Sequence, residues 1–244
     1  MRKLVLVQFA VMSVVVAMLG LMSFSFLLLD FVSPGDFRSW NLFRRGLELN
    51  AVLLLIFGLQ HSLMARRGWK RGLIALFPPE LERSVYVLMT GFVLFWMSVL
   101  WARLSPPLYD LRGTLGGYAL LAVWFLGGGI VLVGQRGMGP LDLIGVQTVI
   151  DIWRGKRNAA LPFRTPFLYR YVRHPLYLGL LLMFWSTPAM THDHLFFAEV
   201  MTAYILVGIY FEERDLVERY GQAYLDYQAR VPMLIPFFKR PRRG

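Results

Sequence analysis

The chain has 244 residues, of which 57% are hydrophobic and only 17% are charged, whereas a soluble domain usually carries about a quarter charged residues. It contains no cysteine, which excludes disulfides, thiolate metal sites and a cysteine nucleophile. The net charge of +11 would suit nucleic-acid binding, but the basic residues stand between long apolar runs, where they are better explained as topology signals and lipid-headgroup contacts. We therefore expect an integral membrane protein without a nucleic-acid partner.

Four apolar runs are long enough to cross a bilayer, which takes about 20 helical residues. The first is longer than the apolar core of a signal peptide and is interpreted as a retained span. Two shorter segments, separated by the polar residues 191–194, predict a helical hairpin. The predicted spans are 4–32, 47–65, 84–102 and 115–134, and the hairpin segments are 175–190 and 194–211. The predicted fold class is all-α, a polytopic transmembrane helical bundle of four spans plus a C-terminal helical hairpin, in one domain over 1–244.

The distribution of basic residues predicts the orientation in the membrane. With these segments, 21 of the 26 Lys and Arg fall on the side that holds both termini, and 5 fall on the other side. An excess of Lys and Arg marks cytoplasmic loops. We therefore predict that both termini are cytoplasmic. Whether the short hairpin crosses the bilayer fully stays open.

The longest connection runs from Gln135 to His174. Its apolar stretch 141–153 is followed by three basic residues, a pattern typical of a helix that lies on the membrane surface. Connections of this length in compact proteins often have a function. The sequence leaves open whether this connection closes over a ligand.

The stretch 173–179 carries the clearest chemical signal. Pro175 suits the first position of a helix, because its missing N–H costs nothing there, and His174 would then be the N-cap residue. A helix N-terminus offers free N–H groups and a partial positive charge, to which Arg173 adds a full charge. This combination predicts a site for a ligand carboxylate.

Two carboxylates, Glu212 and Glu213, stand at the end of the second hairpin segment. At a rise of about 1.5 Å per residue, the two arms are about 23 Å and about 27 Å long, so an antiparallel hairpin returns both carboxylates to the level of His174. Cationic and anionic groups would then meet at the membrane surface, as a zwitterionic, cationic ligand requires. The alternative is that these charges are solvated interfacial anchors, although ionisable groups at the edge of a membrane bundle tend to be functional.

Three motifs carry a family resemblance. Arg-His-Pro-x-Tyr-x-Gly at 173–179, Glu-Glu-Arg-x-Leu at 212–216 and Gly-x-x-Tyr-x-x-Tyr at 221–227 resemble the isoprenylcysteine carboxyl methyltransferase and phospholipid methyltransferase superfamily over about residues 165–236. The resemblance implies that S-adenosyl-L-methionine binds at the mouth of the last hairpin, within 135–244, whereas 1–134 supplies the N-terminal spans. The residues that it implies for cofactor binding are His174, Pro175, Tyr177, Gly179, Glu212 and Glu213.

Further segments resemble one bacterial branch of that superfamily. Gln60–Arg66 and Glu82–Leu88 look like the branch that contains methanethiol S-methyltransferase and NnrU-type proteins. Residues 161–166 and 142–145 look closest to methanethiol S-methyltransferase. The resemblance therefore implies methylation of methanethiol to dimethyl sulfide, in the bacterial inner membrane and near its cytoplasmic face.

The predicted chemistry is direct methyl transfer to a thiolate. We predict that Arg173 or Arg214 stabilises the thiolate, and that Glu213 or a tyrosine relays the proton. The residues predicted on the acceptor side are His61, Tyr86 and Asp142, although His61 could equally be a helix-end residue satisfied by its neighbours. No metal site is expected, because a metal needs three or four ligands in a defined geometry and the four histidines are divided between the two sides of the membrane.

Other functions stay open at this point. The acceptor could be another thiol, a prenylcysteine carboxylate or an amine lipid. The chain could also be a non-enzymatic, NnrU-like membrane protein. A transporter is disfavoured, because neither an inverted repeat nor a broken midplane helix is visible. Membrane lipid and a small apolar thiol are the expected partners, and no obligate protein partner is evident.

Overall fold

The computed structural model describes residues 2–29, 40–66, 68–69, 72, 76–104, 106–135, 144–155 and 165–236. Within these ranges, eight α-helices and two short strands have defined bounds. The helices are α1 (Arg2–Leu28), α2 (Trp40–Ala65), α3 (Glu82–Leu100), α4 (Leu115–Gly134), α5 (Val146–Arg154), α6 (Pro175–Trp185), α7 (His192–Tyr220) and α8 (Gln222–Arg230), and the strands are β1 (Tyr109–Asp110) and β2 (Ala189–Met190). The all-α prediction is confirmed.

Five of these helices are long and apolar enough to cross a membrane, namely α1, α2, α3, α4 and α7. The four predicted N-terminal spans are therefore confirmed, with helix ends within a few residues of the predicted positions at all but one of the eight ends. The exception is the start of α2, at Trp40 instead of residue 47. The helix predicted on the membrane surface is also present as α5, although residues 141–143 of the predicted stretch lie outside the described part of the chain.

The prediction of two short hairpin arms is wrong in two respects. The first arm ends at Trp185 and not at 190, because Pro188 cannot continue a helix and disfavours helical geometry in the residue before it. The second arm is the 29-residue helix α7. Its apolar part ends near residue 211, as predicted, but the polar residues that follow are good helix formers and extend the helix by more than two turns.

The chain folds into two compact units. Unit 1 comprises Met1–Tyr109, Leu141–Ala160 and Ala189–His194, and unit 2 comprises Asp110–Pro140, Leu161–Pro188 and Leu195–Gly244. The single domain over 1–244 stays a prediction.

In unit 1, α1 packs along α3, and α2 and α5 pack against these two helices. Small residues allow the closest approach: a Cβ built on Gly91 would lie 2.5 Å from Cα of Ala17. The short helix α5 leaves Trp153 exposed, with the Lys3 ammonium 5.4 Å from the centre of its ring. A lysine and a tryptophan side by side on one surface are typical of residues at a membrane interface.

A buried ion pair lies at the start of α7 in unit 1. The Asp193 carboxylate accepts hydrogen bonds from Nε1 of Trp101 at 2.8 Å and from the backbone N–H of Leu104 at 2.9 Å. The Arg103 guanidinium lies 3.8 Å from the same carboxylate and donates to the carbonyl of Leu27 at 2.9 Å. The interpretation of 191–194 as a polar turn is therefore wrong for Asp193, which is fully buried in the first helical turn.

In unit 2, α4 packs against α6 through glycines. A Cβ built on Gly127 would lie 2.7 Å from the carbonyl oxygen of Gly179, and one built on Gly179 would lie 2.6 Å from the carbonyl oxygen of Gly127. The arms α6 and α7 contact each other through Phe184 and Phe197, whose ring centres are 4.9 Å apart. These two contacts fix the position of α6, whose first turn carries the predicted site.

Candidate active site

The N-terminus of α6 is built as the sequence predicts. His174 is the N-cap residue and Pro175 occupies the first turn. The backbone N–H groups of Arg173 and His174 donate to the carbonyls of Pro232 at 2.9 Å and Met233 at 3.2 Å. The segment that follows α8 therefore holds the entry to α6 in place.

Glu213 is the centre of the site. Its Oε1 accepts a hydrogen bond from Nε of Arg173 at 2.6 Å and lies 3.0 Å from Nε2 of His174. Its Oε2 accepts from Nε2 of Gln228 at 2.9 Å. The predicted meeting of α6 and the end of α7 is therefore confirmed for these three residues, whereas Gln228 was not anticipated.

The Arg173 guanidinium is largely occupied by the protein itself. Besides Glu213, it donates through Nη1 to the carbonyls of Gln228 at 3.2 Å and Val231 at 2.6 Å. Its side chain is only 11% exposed. Arg173 thus connects α6, α7 and the chain after α8, and these contacts leave less of the guanidinium for a substrate than the sequence implied.

The Glu212 carboxylate has an open acceptor. Its Oε2 is buried and makes no hydrogen bond within the described residues. The Nδ1 atom of His174 lies 3.8 Å from this oxygen. A buried carboxylate oxygen without a donor is costly, so this atom is suited to a ligand that brings its own N–H or O–H group.

Tyrosines surround the charge cluster, which consists of Arg173, His174, Glu212 and Glu213. The Tyr227 hydroxyl donates to the carbonyl of Tyr169 at 2.6 Å, and the Tyr169 hydroxyl donates to the carbonyl of Gly134 at 3.0 Å. Burial, together with the nearby charge of Glu212, raises the pKa of Tyr169 to about 12. Burial also raises the pKa of Tyr224 and that of Tyr227 above the ordinary range. All three are therefore neutral phenols at physiological pH, and Tyr169 and Tyr227 serve here as hydrogen-bond donors.

Other residues predicted for the cofactor lie on α6. The Tyr177 ring centre is 5.7 Å from that of His174. Gly179 is buried against α4, and this helix contact is sufficient to explain a glycine there. Arg214, by contrast, is exposed, with its guanidinium 5.8 Å from the centre of the Tyr210 ring. The ligand roles of these residues stay predictions.

The predicted acceptor-side residues belong to unit 1. The Tyr86 hydroxyl lies 2.9 Å and 3.0 Å from the two ring nitrogens of His61. Phe57 stacks on His61, with the two ring centres 5.3 Å apart, and Arg83 lies 5.2 Å from the centre of the Tyr86 ring. His61 and Tyr86 are thus in direct contact, and their role toward an acceptor stays a prediction. Asp142 lies outside the described residues.

Comparison with known proteins decides the family. Residues 156–223 match the family model described as phospholipid methyltransferase. A methanethiol S-methyltransferase from a Pseudomonas species is 42% identical over 205 residues, which are 84% of this chain and 78% of that protein. The chain belongs to the methanethiol S-methyltransferase family. The Mycobacterium tuberculosis protein of that name is also 42% identical, over 189 residues that make up 78% of each chain.

A more distant relative is nurim of Xenopus laevis, which is 31% identical over 166 residues, or 63% of this chain and 56% of that protein. No solved structure is significantly similar to the chain. With its apolar helices and these relatives, the chain is a membrane methyltransferase, as the motifs predicted. The match to the phospholipid methyltransferase model includes Arg173, His174, Glu212 and Glu213, the four ionisable residues of the site.

Proposed function

We propose that the chain is a thiol S-methyltransferase that converts methanethiol to dimethyl sulfide with S-adenosyl-L-methionine as the methyl donor. Two observations support this proposal. The relatives with about 40% identity over most of the chain are named methanethiol S-methyltransferase. The observation that carries the cofactor assignment is the charge cluster at the start of α6, in which a buried oxygen of Glu212 has no donor within the described residues.

The residues present fit this cofactor. Its carboxylate would be held by the first turn of α6, where helix N–H groups and the nearby Arg173 favour an anion. Its ammonium group would bind the open oxygen of Glu212, because a hydrogen bond between two charged groups is stronger than one between neutral groups. When bound, S-adenosylmethionine supplies an electrophilic methyl group, which the thiolate sulfur takes as the bond to the sulfonium sulfur breaks.

The contribution of the chain is positioning and exclusion of water. Glu213 has three donors from the protein, so we assign it to holding Arg173 and His174 in place and not to removing a proton. Arg173 is assigned mainly to positioning, since most of its donors are used internally. Because the tyrosines are neutral and Glu212 is assigned to the ammonium group, the thiol proton goes to water. Arg214 stays a candidate for contact with the thiolate because its guanidinium is exposed.

We further propose that the site opens toward the cytoplasm from the inner membrane of a bacterium. The excess of Lys and Arg on the side that holds residues 173 and 213 supports this orientation. In it the polar cofactor arrives from the cytoplasm, whereas the small apolar thiol is free to reach the enzyme through the bilayer.

Transfer of a labelled methyl group from S-adenosylmethionine to volatile product tests the proposal, with purified protein and methanethiol. Labelled dimethyl sulfide is the expected product. Saturable cofactor binding without that product would refute methanethiol as the acceptor. Longer thiols, prenylcysteine and amine lipids would then be assayed as acceptors. The absence of both labelled product and cofactor binding would overturn the proposed function.

Single substitutions test whether the charge cluster binds the cofactor. Glu213→Gln and Arg173→Met are expected to lower kcat/KM for S-adenosylmethionine by at least about 10-fold, because each leaves buried polar groups without partners. Arg219→Met, which changes an exposed arginine of the same unit, is the matched control and is expected to retain activity. Full activity in both cluster variants would show that the site has been assigned wrongly.

A further inference from the structure

Glu212 is not the only buried acceptor of unit 2 without a partner in the described residues. The carboxamide oxygen of Gln135 is also buried and makes no hydrogen bond there. The whole residue is 8% exposed. Taking an amide oxygen out of water without a hydrogen-bond partner costs free energy, so the lack of a partner among the described residues needs an explanation.

Gln135 is located at the cytoplasmic end of α4 in the predicted orientation, where it is the C-cap residue. The preceding residue, Gly134, is against the start of α6, since a Cβ built on it would lie 3.1 Å from the backbone nitrogen of Leu176. The carbonyl of Gly134 accepts the Tyr169 hydroxyl at 3.0 Å, and Tyr169 is close enough to Glu212 to respond to its charge. Gln135 therefore directly follows a residue that contacts both Tyr169 and the start of α6.

The two open acceptors differ in charge, and this difference divides the donors of a ligand between them. S-Adenosylmethionine carries one ammonium group on its amino-acid part, and it carries uncharged donors, namely two ribose hydroxyls and an adenine amine, on its nucleoside part. The carboxylate is the stronger partner for the ammonium group. A neutral amide is left for an uncharged donor.

We propose that the carboxamide oxygen of Gln135 accepts a hydrogen bond from the nucleoside part of the cofactor. This inference rests on the proposed function. It assigns to Gln135 a role in cofactor binding that the sequence motifs did not indicate. It also predicts that Gln135 contributes to affinity for every ligand that contains the nucleoside, whether or not the amino-acid part is present.

The experiment measures dissociation constants by calorimetry on the purified full chain in lipid nanodiscs. The two ligands are S-adenosylhomocysteine and methylthioadenosine, which lacks the amino-acid part. Gln135→Met, which keeps the length of the side chain but removes the amide oxygen, is expected to weaken both ligands by a similar factor of about 10. The exposed Gln222→Met in the same unit is the matched control and is expected to bind both ligands as the parent protein does.

Unchanged affinities in Gln135→Met would overturn the inference, and so would a loss confined to S-adenosylhomocysteine, because the contact would then be to the amino-acid part. If the parent protein binds neither ligand, the proposed function fails together with the inference. If the parent binds both and Gln135→Met matches it, only the inference fails.

Changes to the ligand test the same hydrogen bond from the side of the cofactor. The parent protein is titrated with methylthioadenosine analogues that lack the 2′-hydroxyl, the 3′-hydroxyl or the adenine amine. In the parent protein, one of these analogues is expected to bind about 10-fold more weakly than methylthioadenosine. In Gln135→Met, the same analogue should bind as tightly as methylthioadenosine does, since the two changes remove the same hydrogen bond. Additive losses for all three analogues would overturn the inference.

Discussion

The three consecutive glycines of α4 offer a direct test of how α4 and α6 pack. A Cβ on Gly127 would lie 2.7 Å from the carbonyl oxygen of Gly179 and 3.0 Å from Cβ of Leu182. That oxygen belongs to a helix backbone and cannot rotate away, so Gly127→Ala must push the helices apart. A Cβ on Gly129 would meet nothing within 4 Å. Both substitutions gain the same helix propensity of about 1 kcal/mol.

Because the propensity gain cancels between the two variants, their difference in stability equals the cost of overpacking, about 1–3 kcal/mol. For a chain of this size, that difference corresponds to a Tm lower by about 2–12 °C in Gly127→Ala than in Gly129→Ala. Thermal unfolding in a single detergent, followed by tryptophan fluorescence, measures it. Gly128→Ala, with only the sulfur of Met183 at 4.0 Å, should resemble Gly129→Ala.

Equal Tm values for Gly127→Ala and Gly129→Ala would refute the packing described for these helices. Gly127→Ala is also expected to weaken S-adenosylmethionine binding, because α6 carries His174 at its N-terminus. A stability loss without any loss of affinity would show that the site tolerates movement of α6.

Two further predictions concern the buried ion pair of unit 1 and the tyrosines of unit 2. Arg103→Met leaves the buried Asp193 without its cation and should cost about 3 kcal/mol of stability, which is measured as a lower Tm. Substitution of an exposed arginine in Arg112→Met should change the Tm little. Equal Tm values for the two variants would contradict the buried ion pair between Arg103 and Asp193. The raised pKa values of Tyr169, Tyr224 and Tyr227 stabilise the fold fully below the unfolded pKa of about 10, and this contribution is lost as the pH rises through the folded pKa, which for Tyr169 is about 12. Alkaline absorbance titration should therefore show a group of tyrosines that ionise well above about pH 10 in the folded protein and near pH 10 after unfolding. Ionisation of all tyrosines near about pH 10 in the folded protein would contradict the raised pKa values.

The parts of the fold that the sequence predicts are those set by local physics. Apolar runs long enough for a bilayer identify four spans, and Pro175 identifies the first turn of α6. The return of the chain to the level of His174 is also predicted from helix rise, with two arms of about 23 Å and about 27 Å. The contact of 3.0 Å between His174 and Glu213 confirms the meeting, but the arms differ in length, because α6 ends at Trp185 and α7 begins at His192.

The parts that the sequence does not predict depend on distant backbone groups. Arg173 binds the carbonyls of Gln228 and Val231, and a carbonyl has no signature in sequence because every residue has one. The orientation of the chain after α7 depends on Gly221, whose φ of +57° is readily adopted only by glycine. The sequence indicates the glycine but not the direction in which the following helix turns.

The burial of Asp193 shows a different limit. A short polar run between two apolar segments is normally a solvated turn, and the composition of 191–194 fits that interpretation. Its carboxylate is instead satisfied by Trp101 and by the backbone of Leu104, about 90 residues earlier in the chain. A charged residue is buried where its partners are, and these partners are defined by tertiary structure.

The hydrogen bonds from Arg173 and His174 to the carbonyls of Pro232 and Met233 have a consequence for biosynthesis. The ribosome adds Arg173 and His174 to the chain about 60 residues before it adds Pro232 and Met233, whose carbonyls hold them. Until those carbonyls have been made, the arginine and the histidine lack the acceptors that fix their backbone. The five helices that are long and apolar enough to cross a membrane all precede residue 232, so a released chain that ends before this residue should be inserted in the membrane and inactive.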